Sequence, residues 1–566
     1  MTYSTPETEH IFRKSSSERP AIIYASEKNT PQEISWKQLE HRVSSLQQFL
    51  KKAGVLTGDR VAAFLPCIPE ATVAFLATNS LGAIWSSCSP DFGLQAVIDR
   101  FAQIEPKVLI TVKRYGYNGK IIDRSNVVQD LLHALPTVQH IILVDTEDEL
   151  ADERFVHWNR ILDIRPQPLQ FERVPCEHPI WILYSSGTTG LPKSMVHSTG
   201  GILLEHLKYL SFHNNIKEGE RCFWYTTTGW MMWNYIQSSL LCGGVLVLYD
   251  GSPGYPDLNR LWQLAEETRI HHFGTSASFI MACRKNDIKP NKFQLQELIS
   301  IGSTGSTLPA EGFDWVYQYV KPNVWLASIS GGTDVCSAFV GGNPILPVYS
   351  GEIQCRALGC RLEAFDEDGK SINGKVGEMV ITRPMPSMPA YFWNDPEGKR
   401  YLESYFETYP GIWRHGDWIE ITETGGIVIY GRSDATLNRG GVRIGTSEIY
   451  RALDSLPQVT DSLIVCIEKP DGDFWMPLFI VLKDGLILDK SLNDLIRNTL
   501  RTLCSPRHVP DSIHQVAEVP YTISGKKTEM PVKKILLGHP MEKVVHAGSL
   551  RNPASLKAFS DIANQN

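Results

Sequence analysis

Short β-branched runs alternate with helical periodicities through the first third of the chain, and this alternation limits the fold more than any other feature. Arg60-Val-Ala-Ala-Phe-Leu65 reads as a buried strand, Pro69 to Leu81 as an apolar helix, Ala83-Ile-Trp85 as a strand and Leu94 to Ile104 as a helix. Lys107-Val-Leu-Ile-Thr-Val112 and His140-Ile-Ile-Leu-Val144 continue the strands, with a helical segment near Val127 to Leu135 between them. Strands separated by helices of about ten residues or more pair in parallel, because a tight turn would reverse the chain. The rhythm resumes with strand Val245 to Tyr249, helix Leu258 to Thr268 and strand Ile270 to Gly274. The prediction is an α/β fold with a large N-terminal body of wound subdomains.

From about Gly351 the texture changes. Short alternating segments and turns such as Asp368-Gly369 and Asn373-Gly374 predict a small β-barrel-like part. After Gly431, helices at Glu448 to Leu456 and Leu492 to Leu503, with strands at Ser462 to Glu468 and Pro477 to Lys483, predict an α+β C-terminal unit. Charge shifts with the texture: residues 435–566 hold 16 Lys+Arg against 14 Asp+Glu, whereas the first 434 hold 39 against 48. The expected domains are a body over 1–431 and a mobile lid over 432–566.

The overall net charge of -7 gives no basic footprint for a nucleic acid or a membrane surface. The most apolar internal stretch, Tyr235 to Tyr249, is shorter than the ~20 residues a spanning helix needs. Eleven cysteines without a CxxC pair or zinc spacing suit buried thiols in a reducing compartment, so the expected location is cytoplasmic and the partners are small molecules.

The most informative stretch is Trp181-Ile-Leu-Tyr-Ser-Ser-Gly-Thr-Thr-Gly-Leu-Pro-Lys-Ser-Met-Val-His197. A strand ends at Tyr184, and a loop follows in which Ser185, Ser186, Thr188 and Thr189 offer hydroxyl donors. Gly187 and Gly190 let backbone amides approach an anion, and Lys193 adds a point charge suited to phosphate. A Walker A loop is excluded. Aligned on Lys193 and Ser194, its second glycine falls on Pro192, which has no N–H to donate and a fixed φ.

Here the chain resembles the adenylate-forming acyl-CoA synthetase superfamily. Further matches follow in the family's order: Gly302-Ser-Thr-Gly-Ser-Thr307, Gly332-Thr-Asp334, Trp413-Arg-His-Gly-Asp417, Gly431-Arg-Ser-Asp434, Gly440-Gly-Val-Arg443 and Ser524-Gly-Lys526. The likeness is greater to the acetoacetyl-CoA synthetases, through Ile84-Trp-Ser-Ser-Cys-Ser-Pro-Asp-Phe-Gly93, Tyr225-Thr-Thr-Thr-Gly-Trp-Met-Met-Trp-Asn234, Tyr249-Asp-Gly-Ser-Pro253 and Ser330-Gly-Gly-Thr-Asp334.

The resemblance implies that ATP converts a carboxylate to an acyl-adenylate, which coenzyme A then attacks. The residues suit that task, which is mainly one of positioning and charge stabilisation. By resemblance, Ser185 to Lys193 hold the β- and γ-phosphates and Thr333 meets the α-phosphate. Asp334 stands where the family usually has Glu, a Mg²⁺ ligand. Gly305, Ser306 and Thr307 occupy the adenine side, while Asp417 and Arg432 suit ribose and phosphate. Lys526, in a turn of the basic unit, is the foremost catalytic candidate, with Lys527 as its decoy. Asp434 matches the family hinge, Gly440 and Gly441 the pantetheine channel, Arg443 a nucleotide contact and Arg501 a CoA contact.

For the acid, Trp230 and Met231 would form one wall. Gly331 stands where acetyl-CoA synthetases carry a tryptophan, and its lack of a side chain predicts room for a longer acid such as acetoacetate. Other short acids and a non-catalytic nucleotide-binding relative remain open. Relatives of this kind carry an extension before the segment matching Ile11-Phe-Arg-Lys14, which leads us to expect altered CoA affinity here.

Overall fold

The structure is a computed structural model that describes residues 3–144, 153–185, 191–433, 437–439, 442–444, 446–468, 474–503, 506–523, 525–545 and 547–563. By internal contacts the chain divides into two units. The first comprises Met1–Ser185, Pro192–Cys360 and Pro384–Ser404; the second includes Arg361–Arg383 and Tyr405–Asn566.

The first unit is built on two large sheets, as the alternation predicts. One runs in the order Phe155–His157, His140–Leu143, Val108–Thr111, Arg60–Phe64, Ile84–Cys88, Pro179–Ser185, Lys193–Ser198 and Tyr391–Phe392. Its strands are parallel up to Pro179–Ser185, and the last two pairings are antiparallel. The other runs Trp325–Ser328, Ser300–Thr304, His272–Ser276, Arg221–Trp224, Val245–Asp250, Pro20–Ser26 and the antiparallel edge Gln32–Ser35. Helix Pro69–Ser80 is buried on every side, which explains why its sequence lacks a polar stripe. Its Phe75 ring lies 5.8 Å from that of Trp181 and 6.2 Å from those of Trp85 and Trp233. Helix Trp36–Lys52 begins with a capping box, Ser35 accepting from Gln38 N at 3.2 Å while the Gln38 side chain accepts from Ser35 N at 2.8 Å.

In the second unit the expected barrel-like part is an open antiparallel sheet, ordered Ser371–Ile372, Leu362–Phe365, Val376–Ile381, Trp413–Ile421 and Ile427–Arg432. Among the described residues no ladder joins its two edges. Closure needs every strand to have two partners, and the two-residue edge Ser371–Ile372 is too short to supply a second ladder.

Beyond it, strands Val459–Ile464, Pro477–Leu482 and Ser512–Gln515 form a three-stranded sheet between two cores. Neighbouring residues face opposite ways along a strand. Ile464 and Ile480 therefore join Ile449, Leu453, Ile496 and Leu500 of helices Thr446–Asp454 and Lys490–Leu503. Leu463 and Phe479 join Val532, Ile535 and Phe559 of helices Glu529–Leu536 and Leu556–Ala563. No described helix is long and apolar enough to cross a membrane.

Candidate active site

Several of the motif residues lie together in the first unit. Strand Pro179–Ser185 pairs antiparallel with Lys193–Ser198, so Ser185 stands opposite Lys193 at the two roots of the hydroxyl-rich loop. The Lys193 ammonium lies 5.9 Å from the centre of the Phe392 ring. Ser186, Gly187, Thr188, Thr189 and Gly190 lie outside the described residues.

Motif 84–93 and motif 225–234 meet directly. Ser87 Oγ donates to the Thr228 carbonyl at 2.8 Å, and the absence of a side chain at Gly229 makes room for the Phe92 ring. Tyr225 donates its phenolic hydrogen to the Gly251 carbonyl at 2.9 Å, which joins the third motif, 249–253, to the same wall. Gly274 and Gly302 sit side by side on neighbouring strands beneath the Trp224 indole, where any Cβ would collide with it.

Gly305 follows strand Ser300–Thr304 with φ +89°, and the Trp230 ring reaches within 3.9 Å of where its Cβ would be. The adenine-side segment and the expected acyl wall are thus adjacent. Ser306 is exposed and Thr307 half-buried. Met231 is buried, and its carbonyl lies 3.9 Å from the Cys336 thiol.

Thr333 and Asp334 occupy the turn between strands Ser330–Gly332 and Ser337–Gly341, and both are half-buried. The turn closes with bonds from Val335 N to Gly332 O and Cys336 N to Thr333 O, each 3.2 Å. The fold places a constraint of its own on Gly331. A Cβ there would run into the Ser337 carbonyl and the Ala338 Cα of the facing strand, so the position is governed by the close approach of the two strands.

Residues not singled out in the sequence hold this turn from behind. His197 is buried, and its Nε2 lies 2.8 Å from the Asp334 carbonyl. A carbonyl only accepts, so Nε2 carries the proton. Burial pushes the imidazole down to about 4, against the pull of Asp334, and the ring is neutral. His206, also buried and pushed down to about 4 mainly by burial, bonds the Cys336 carbonyl through Nε2 at 2.7 Å. Ser337 donates to the buried Glu205 carboxylate at 2.8 Å, and Lys208 lies 2.8 Å from the same oxygen. The one available signal was the polar pair Glu205-His206 inside the apolar run Ile202-Leu-Leu-Glu-His-Leu207.

The second unit brings two more motifs together. Asp417 and Arg432 are cross-strand partners, with Arg432 Nη1 at 3.6 Å from Asp417 Oδ1 and 3.2 Å from the His415 carbonyl. Gly416, at φ +87°, leaves the space into which Arg432 extends; a Cβ there would lie 2.8 Å from Nη2. Arg414 bridges Glu378 at 3.1 Å and Ser433 at 3.1 Å, tying the strand that begins at Trp413 to the end of the next.

Lys526 lies in the turn between Tyr521 and Lys527, with its N–H donated to Thr522 Oγ1 at 3.0 Å, and its side chain is exposed. Lys527 points inward. It pairs with Asp461 at 2.9 Å, bonds the Ser462 carbonyl and lies 3.9 Å over the Tyr450 ring. Arg501 is exposed in the last turn of its helix and donates to Asn498 at 3.0 Å. Arg443 lies on strand Val442–Ile444, opposite Asn438. Asp434, Gly440 and Gly441 lie outside the described residues.

The family model for the AMP-binding enzyme matches residues 9–392. The chain is 46% identical over 562 residues to the acetoacetyl-coenzyme A synthetase of Rhizobium meliloti (strain 1021), covering 98% of this chain and 85% of that protein. Its structure is similar to that of the acetoacetyl-CoA synthetase from Streptomyces lividans, with a TM-score of 0.94, 46% identity and coverage of 99% and 87%. The anthranilate CoA ligase AuaEII, solved in complex with anthranoyl-AMP, shares the fold at a TM-score of 0.80, with 19% identity and coverage of 94% and 96%.

Proposed function

The chain belongs to the AMP-binding enzymes, and from that premise we propose that it ligates acetoacetate to coenzyme A through an acetoacetyl-adenylate, releasing AMP and pyrophosphate. The observation that carries this reading is the likeness to acetoacetyl-CoA synthetases over nearly the whole chain, in sequence and in fold together. The geometry supports it, because Trp230, Gly305 and the Thr333 turn cluster in one unit, where an adenylate would need its acyl, adenine and phosphate contacts.

In the proposed mechanism the acid's carboxylate oxygen attacks the α-phosphorus of ATP and pyrophosphate leaves. Thr333 donates to an α-phosphate oxygen, and Lys193, with the loop from Ser185, holds the β- and γ-phosphates. Asp417 accepts from the ribose hydroxyls, and Arg432 lies beside it. Lys526 neutralises charge that develops at the α-phosphate. The thiol of CoA then attacks the acyl carbon and AMP departs; for this half-reaction the lid, 432–566, turns about Asp434 and brings Gly440, Gly441 and Arg501 to CoA, with Arg443 kept on the nucleotide.

Mg²⁺ enters with ATP in this reading. Among the described residues no group of three His, Cys, Asp or Glu side chains could hold a metal by itself. A single carboxylate, Asp334, fits an ion that takes most of its ligands from water and phosphate. Mg²⁺ would neutralise phosphate charge there. A cytoplasmic location belongs to the same proposal and is supported by the ten described cysteines, none of which is joined in a disulfide.

Hydroxamate trapping over acetoacetate, 3-hydroxybutyrate, propionate, butyrate and acetate tests the substrate. We expect acetoacetate to give the highest kcat/KM. Equal or better turnover of another acid would remove acetoacetate from the assignment.

A further inference from the structure

We propose that Glu7, Ser238 and His206 form a positioning relay that fixes the Thr333–Cys336 turn, tying the N-terminal helix Glu7–Phe12 to the active centre. The inference rests on the reading of Thr333 and Asp334 as the residues that meet the α-phosphate and its metal. The relay is continuous: Glu7 Oε1 lies 2.7 Å from Ser238 Oγ, Ser238 Oγ 2.7 Å from His206 Nδ1, and His206 Nε2 2.7 Å from the Cys336 carbonyl. All three side chains are at 0% exposure.

Proton arithmetic makes the three act as one. His206 Nε2 carries a hydrogen because it faces a carbonyl, and Ser238 has only one hydrogen to give. The chain is fully bonded in two arrangements that contain the same number of protons. In one, Glu7 is a carboxylic acid donating to Ser238, which donates to Nδ1 of a neutral His206. In the other, Glu7 is a carboxylate accepting from Ser238, which accepts from the Nδ1–H of an imidazolium. Without the shared proton, Ser238 cannot serve both neighbours. Burial favours the first arrangement, pushing Glu7 up to about 7 and His206 down to about 4.

The turn needs such support. Cys336 has φ +45°, a left-handed conformation that a residue with a Cβ adopts reluctantly. Two buried imidazoles grip the turn on either side of it, His197 at the Asp334 carbonyl and His206 at the Cys336 carbonyl. A polar chain this deep contributes little to stability that apolar side chains could not supply, but it fixes one arrangement of the backbone it ends on.

The test measures acid-dependent pyrophosphate exchange and thermal unfolding for Glu7→Leu, Ser238→Ala, Glu7→Gln and Thr333→Ala. A relay predicts that Glu7→Leu and Ser238→Ala lower exchange kcat by about 10- to 100-fold. KM for the acid should hold, and Tm should stay within roughly 5 °C of the parent. Glu7→Gln, whose amide can donate to Ser238, should restore exchange. If Glu7→Leu fails to fold, Ser238→Ala carries the test. Full exchange in these variants beside an inactive Thr333→Ala would overturn the relay alone, as would losses that only follow Tm. A fully active Thr333→Ala would overturn the site reading and the relay with it.

Discussion

Two adjacent lysines differ in their surroundings. Lys527 is held by Asp461, the Ser462 carbonyl and the Tyr450 ring, whereas the Lys526 side chain stands exposed on its turn. Lys526→Ala should lower adenylation by about 100-fold or more while sparing thioester formation from preformed acyl-adenylate. Lys527→Ala should lower Tm and leave adenylation intact in the folded fraction. Single-turnover assays of the two half-reactions separate these outcomes; normal adenylation in Lys526→Ala would remove that residue from the mechanism. Gly331 shows where reading residues one at a time falls short. Its alignment with an acyl-pocket tryptophan was legible, but the Ser337 carbonyl that crowds it comes from a hairpin register that no local pattern encodes. Gly331→Ala should therefore cost about 1–3 kcal/mol of stability by overpacking, measurable by denaturant unfolding.

At the scale of elements, the strands and helices of the wound sheets were legible because their periodicities are strong. Helix Leu94–Ile104 and strand Val245–Asp250 fall where the pattern puts them. The two-sided core around Leu463, Ile464, Phe479 and Ile480 was not, since a continuous apolar run does not say which residue faces which helix. Nor was the sheet at 361–432 separable from a barrel, because turn dipeptides mark hairpins without saying whether edges meet. The support of the 333–336 turn, drawn from helices at Glu7 and at Glu205-His206, left only that polar pair as a mark in the sequence, because its members are far apart along the chain.

That support has a pH signature. Glu7, which faces Ser238, the His206 ring and the Cys336 thiol, is raised to about 7, so the native state holds a proton that the unfolded chain has released above about 4.5. Its contribution is full below the unfolded value and is lost as pH rises toward 7. His197 and His206, lowered to about 4, have the opposite sign: the unfolded state binds protons below about 6.5, so their contribution is lost as pH falls toward 4. Glu7→Gln should gain on the parent between pH 4.5 and 7 by at most about 1.4 kcal/mol per pH unit. Chemical denaturation across that range measures the difference, and a flat one would contradict the burial argument.

For the whole molecule, motif order was more informative than any single motif. The failed Walker match at Pro192 removed one class of phosphate chemistry, and the ordered set from Tyr184 to Lys526 supplied another. Likeness to acetoacetyl-CoA synthetases over nearly the whole of this chain agrees with that order. The proposed mechanism requires an acyl-adenylate to form before CoA is engaged. Labelled pyrophosphate should therefore exchange into ATP with acetoacetate and Mg²⁺ present and CoA left out. Rapid exchange that depends on acetoacetate is expected; exchange that is absent without CoA, or that proceeds equally without the acid, would rule out the adenylate.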